Sequence, residues 1–148
     1  MSINRTHEFI IQNLYPGSLT IVDQNNNEII LNNYGDEEYI TVADLQSIKN
    51  KNRKLLEAGC IGITDEEVIE YIRMGNVFNY CPSVEEFEKL VNYKATKKIK
   101  DLLKGASDIQ KRVLALRAVY LSKHGKLDSA TVRDLFIQSV GNVNLFKT

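Results

Sequence analysis

The residues in this chain best able to do chemistry are charged, and they come in short runs. Lys94-Ala95-Thr96-Lys97-Lys98-Ile99-Lys100, with Lys104 beyond it, is the strongest basic cluster. On a helix these lysines spread along a solvent face able to meet phosphates. Tyr93 is the only aromatic beside them, and no arginine fork or glycine-rich loop stands near to read bases. A solvated or protein-facing helix surface is therefore the expectation, ahead of nucleic-acid contact. Asp36-Glu37-Glu38 and Asp65-Glu66-Glu67 are the acidic counterparts. The first lies in a loop and lacks the alternating oxygen ligands of a calcium loop; the second falls at a helix start, where the macrodipole favours anions.

The remaining reactive side chains do not converge. His124 precedes Gly125 near a helix C-terminus, where a cation is favoured, and no nucleophile accompanies it. Cys60 and Cys81 have only His7 and His124 to complete a ligand set, which is poor for zinc, so they read as two buried reduced thiols. Neither Gly59 nor Gly62 is followed by phosphate-cradling spacing, and no Walker, zinc or triad pattern occurs. Thr41, Thr64, Ser83 and Ser107 are explained as helix caps. No cofactor or metal is implied, and the expectation is a protein that is not an enzyme.

The elements that hold these residues follow from patterning. With 148 residues and 43% apolar content, the chain suits one domain or two small modules sharing a core. Formal net charge is zero, but residues 1–80 carry 6 Lys/Arg against 12 Asp/Glu, and residues 81–148 carry 13 against 7. Such a dipolar chain is suited to ordering its halves against each other, or to stacking acidic face on basic face between molecules. No apolar leader follows Met1, and no apolar run approaches the roughly 20 residues of a membrane span, so a soluble protein of a reducing cytoplasm is expected.

His7 to Leu14 and Ser18 to Asp23 read as strands of a hairpin turned at Tyr15-Pro16-Gly17, and Glu28 to Asn32 extends them into an antiparallel meander. Tyr39-Ile40 adds a last strand. Thr41 with Asp44 caps a helix that Asn50-Lys51-Asn52 weakens and Gly59 ends; Cys60 to Ile63 returns as a short strand to the sheet edge. Thr64 with Glu67 predicts a capping box for a helix that stops at Gly75. Pro82 and Ser83, the latter with Glu86, open an all-helical remainder. Its long element is a hairpin from Ser107, turned at His124-Gly125-Lys126, with Ile109, Val113, Leu116 and Tyr120 as an apolar stripe and Lys111, Arg112 and Arg117 turned away from it. A soft boundary at residues 75–82 separates a module at 1–75 from one at 82–148.

Two segments carry a family resemblance: Tyr39 to Ile72, with ITVADLQSI and KNRKLLEAGCIGITDEEVIEYI, and Leu102 to Phe146, with DIQKRVLALRAVYL, LDSATVRDLF and GNVNLF. Together they resemble small structural proteins encoded among the virion genes of tailed bacteriophages, in which a short β-rich part precedes a helical part ending in a Gly-x-Asn turn, here Gly141-Asn142. The resemblance implies a non-enzymatic particle component, made in the host cytoplasm and located in the virion at capsid, neck or tail. Its partners would be other virion proteins and copies of itself.

The combined expectation is an α+β fold, a small N-terminal antiparallel β module followed by a C-terminal helical bundle, working by protein binding. Tyr15, Tyr34 and Tyr39 on the N-terminal loops and Leu145 and Phe146 on the tail are the candidate interface residues, tyrosine being favoured at interfaces. Lys94, Lys97, Lys98, Lys100 and Lys104 are the candidate phosphate contacts. Two rival readings are a small regulatory or inhibitor protein acting on a host target, and a nucleic-acid-binding module using the Lys94 to Lys104 face.

Overall fold

Residues 3–147 are described by the computed structural model; Thr148, at the end of the C-terminal tail, lies outside them. The fold is α+β, with antiparallel strands concentrated at the N-terminal end and helices making up the rest. Strand β1 (Glu8–Asn13) is central in a three-stranded sheet, flanked by β4 (Glu37–Thr41) and β5 (Ile61–Ile63), both antiparallel to it. Strands β2 (Leu19–Val22) and β3 (Glu28–Leu31) form a separate two-stranded hairpin. The expected β1–β2 hairpin and three-stranded meander are thus corrected.

The reason lies at Asn13, which is fully buried at the end of β1. Its side-chain oxygen accepts from the Tyr15 amide at 2.8 Å, and its amide donates to the carbonyls of Gly17 at 2.8 Å and Asn33 at 3.0 Å. Those bonds steer the chain out of the β1 ladder instead of folding it back. Both sides of β1 are then open to residues 37–41 and 61–63, whose apolar positions complete the inner face with Phe9 and Ile11. Gln24 to Asn27 make the β2–β3 turn: the Asp23 carboxylate accepts from the amides of Asn25 and Asn27, and Asn26 takes the left-handed conformation at φ 65°.

Helix α1 (Val42–Lys51) opens on the Thr41/Asp44 capping box and breaks at Asn52 before α2 (Arg53–Glu57). Helix α3 (Glu66–Ile72) departs from expectation at both ends. Asp65, not Thr64, is the N-cap, because its carboxylate accepts from the Val68 amide. The helix ends at Arg73, left-handed at φ 59°, and Gly75 opens the short α4 (Gly75–Phe78) instead of closing α3. Ser83 caps α5 (Val84–Asn92) through the Glu86 amide. There follow α6 (Thr96–Gly105), α7 (Asp108–Lys123), which opens on the Ser107/Gln110 capping box, and α8 (Ala130–Val140).

Two apolar clusters form the interior. One gathers Phe9, Ile11, Leu14, Leu45, Leu56, Ile61, Val68, Ile72 and Phe78 around the sheet; the other gathers Phe87, Val91, Ile99, Leu114, Ala118, Leu121 and Phe136 among the helices. Helix α7 serves both, since Val113 belongs to the first and Leu114 to the second. Its buried face is Gln110, Val113, Leu114, Arg117, Ala118 and Leu121, one step round from the predicted stripe. Ile109 and Leu116 are exposed, and Arg117, expected outside, is 1% accessible. The shift is possible because both polar residues on the buried face find partners. Among the described residues, no helix is long and apolar enough to cross a membrane.

Candidate protein-binding groove

Arg117 is the pivot on which the site is built. Its Nε donates to the Tyr34 hydroxyl at 2.9 Å, and its Nη2 donates to the Pro82 carbonyl at 2.7 Å and the Ser83 carbonyl at 3.2 Å. Its guanidinium carbon lies 4.4 Å from the Phe87 ring centroid, within cation–π range. One side chain thus joins the loop before β4, the turn before α5 and the centre of α7. Burial lowers its pKa from the usual arginine value and raises that of Tyr34, while the Tyr34 hydroxyl counteracts the first shift and the guanidinium the second. Gln110 repeats the device one helical stretch earlier: its side-chain oxygen accepts from the Ser107 amide at 3.0 Å, and its Nε2 donates to the Val77 carbonyl at 2.9 Å.

With the turn at Pro82 and Ser83 held, the start of α5 is laid against the outer face of the sheet. Gln12, on that face, is buried by the approach; its side-chain oxygen accepts from the Val84 amide at 2.9 Å, and its amide faces the Glu85 carboxylate at 3.3 Å. On the opposite side, Asp65 caps α3 and meets His7 Nε2 at 3.0 Å, a hydrogen bond that holds the Asp65 carboxyl below its ordinary range. Glu66, Ile69 and Glu70, at i, i+3 and i+4, share one face of α3.

Between these walls lies an open groove of about 770 Å³. Ile10, Ile63, Ile69, Phe78, Pro82 and Leu90 give it apolar surface; Glu37, Glu66, Glu70, Glu85 and Glu86 are its charged lining, and no Lys, Arg or His lines it. Among the described residues, none of these five carboxylates has a cationic side chain within ion-pairing distance. The chemistry this suits is recognition of a basic segment carrying some apolar surface. Among the described residues, no group of three His, Cys, Asp or Glu is arranged to hold a metal ion.

Comparisons with protein-family models, with curated proteins and with solved structures find no match. The groove therefore has to be read from its own residues.

Tyr39 comes to its rim: it is 62% exposed on β4, directly opposite Ile10. Tyr15 is at the margin of exposure, its ring beside Gly17. Tyr34 is half-buried, its hydroxyl held by Arg117 and its ring 4.6 Å from that of Tyr120, centroid to centroid. Leu145 and Phe146 are half-buried against the helical cluster, with Phe146 beside the Arg133 guanidinium at 5.6 Å. Lys94, in the α5–α6 turn, and Lys97, Lys98, Lys100 and Lys104 on α6 are exposed. They lie away from the candidate tyrosines in sequence, and no described acidic residue pairs with them.

Sequence reasoning missed Arg117 and Gln12. A signal for the first existed in Ala115 and Ala118, two small residues flanking it that permit close approach of neighbouring elements. Gln12 has none, because a glutamine in an apolar strand reads as a solvent-facing alternation. Cys60 and Cys81 are free and buried, and burial pushes the Cys81 thiol up to about 11, away from nucleophilic use at neutral pH.

Proposed function

We propose that this chain is a non-enzymatic structural or assembly protein of a tailed-bacteriophage particle, binding neighbouring particle proteins at the capsid or head-to-tail region. The observation that carries the reading is the sorting of charge into two separate surfaces: an acidic groove with apolar patches, and a lysine face on α6, neither of them ion-paired among the described residues. Exposed charges left unpaired in this way favour encounter with a complementary surface more than they stabilise the fold. The resemblance of Tyr39 to Ile72 and Leu102 to Phe146 to phage virion proteins supplies the setting.

Peptide mass spectrometry on purified particles of the phage encoding the chain, with copy number measured against the major capsid protein, tests the reading. Detection in many copies per particle is the expected result. Absence from particles, with the protein present in infected-cell lysate, would overturn it in favour of a regulatory protein acting on a host target.

A further inference from the structure

We infer that the acidic groove receives the lysine face of α6 from a second copy of this chain, in a head-to-tail contact. The inference rests on the assembly reading and names the partner of the groove. On α6, Lys97, Lys100 and Lys104 fall at i, i+3 and i+7 and so share one exposed face, on which Asp101 is the one carboxylate among the lysines. Leu102, on the same helix, lines the groove of its own chain. At about 100° per residue, Lys100 and Lys104 point about 160° away from Leu102 and Lys97 about 140° away, on opposite sides. A chain therefore cannot fold these three lysines into its own groove, while the groove of a neighbour is open to them.

Charge and shape agree. The groove presents five carboxylates and no cation, with Glu66 and Glu70 one helical turn apart on α3. The lysine face has the same helical spacing. Tyr39, exposed at the groove rim, and Tyr93, 78% exposed just before α6, add aromatic surface beside the two halves of the contact. Because the two patches differ and lie on different sides of the molecule, the contact is heterologous. Repetition of it closes a ring if the rotation allows and otherwise extends a stack.

The test uses two neutralising variants of the full chain. One carries Glu37→Gln, Glu66→Gln and Glu70→Gln and keeps its lysines; the other carries Lys97→Gln, Lys100→Gln and Lys104→Gln and keeps its groove. None of these six side chains makes a described hydrogen bond or ion pair, and circular dichroism verifies that both variants fold. In sedimentation velocity at low ionic strength, wild type should form assemblies that dissolve as salt is raised, and each variant alone should be monomeric. Their mixture should stop at one-to-one dimers, since only one complementary groove and face remain in each pair. Wild type that stays monomeric, or variants that associate as wild type does, would overturn the inference while leaving the particle measurement standing. A low-salt shift of duplex DNA by wild type, lost in the lysine variant without any self-association, would also overturn it and assign the face to phosphates.

Discussion

The junction around Arg117 and the surfaces at the groove and α6 handle polar groups in opposite ways. Among the described residues, the fully buried polar residues are Gln12, Asn13, Gln110 and Arg117, each held by at least two hydrogen bonds, while the buried hydroxyl of half-buried Ser139 has no partner. The groove carboxylates and α6 lysines are exposed and, among the described residues, without ion-pair partners. Burial makes an unmade hydrogen bond cost about 1–3 kcal/mol, whereas an exposed unpaired charge costs little. Polar chemistry inside this molecule fixes one chain conformation; the charges of the groove and of α6 form no ion pair among the described residues. Gln12 touches both regimes, tying the sheet to α5 while facing Glu85 in the groove.

The contrast breaks first at Arg117. Arg117→Ala strands the Pro82 and Ser83 carbonyls and the Tyr34 hydroxyl and opens a cavity, so urea unfolding should show a loss of about 3 kcal/mol. A loss below about 1 kcal/mol would show that the junction is not fixed by this side chain. Arg117→Lys should recover only part of the loss, because a point-like ammonium cannot reach Tyr34 and the two carbonyls in the geometry of a planar fork. Asn13→Ala should follow at about 2 kcal/mol, since the turn after β1 then loses the side chain that directs it.

Alkaline pH probes the same interior. The Cys81 thiol has its folded pKa raised from 9.0 to about 11 by burial, with Gln110 opposing the shift. A raised folded value means the contribution to stability is fully present below 9.0 and is lost as pH rises through about 11. The two-unit difference corresponds to about 3 kcal/mol at most. Urea midpoints taken from pH 8 upward should fall more steeply for wild type than for Cys81→Ala. Parallel curves would mean that the thiol is hydrated. Smaller still, Tyr34→Phe should cost about 1 kcal/mol, because one donor of Arg117 is left without its acceptor while the rest of the guanidinium stays held.

How much of this was legible in the sequence depends on whether the cause was local. The capping boxes at Thr41 and Ser107, the break at Asn52 and the Asp23 to Asn27 turn all arise from side chains bonding backbone within a few residues, and the sequence displays them. Strand pairing was legible in part: the return of residues 60–63 to the sheet edge was expected, but not the pairing of β1 with β4, because that partner lies about 30 residues away and the Asn13 bonds to residues 17 and 33 turn the chain out of the nearer hairpin. The α7 register was misread for a related reason. Apolarity alone favours Ile109 and Leu116 over Gln110 and Arg117, and the partners that make the polar pair burial-competent come from residues 34, 77, 82 and 83. The lysine face and the acidic runs were visible as charge. That Glu37, Glu66, Glu70, Glu85 and Glu86 line one groove follows only from the fold.

The smallest effect on stability is the one that sharpens the contrast most. Replacing Glu66 and Glu70, or Lys97 and Lys100, with glutamine removes charges that make no described contact within the chain. Glu66 sits in the first turn of α3, so its loss costs a few tenths of a kcal/mol through the helix dipole. Glu70 lies nearer the C-terminal end of α3 and should be neutral or slightly stabilising to remove. Each pair should therefore leave the urea midpoint within about 0.5 kcal/mol of wild type. Destabilisation comparable to that of Asn13→Ala would mean that these charges serve the fold. An unchanged midpoint together with lost salt-sensitive association would separate the two regimes cleanly, since Arg117→Lys is expected to do the reverse: lower the midpoint while leaving both charged surfaces intact.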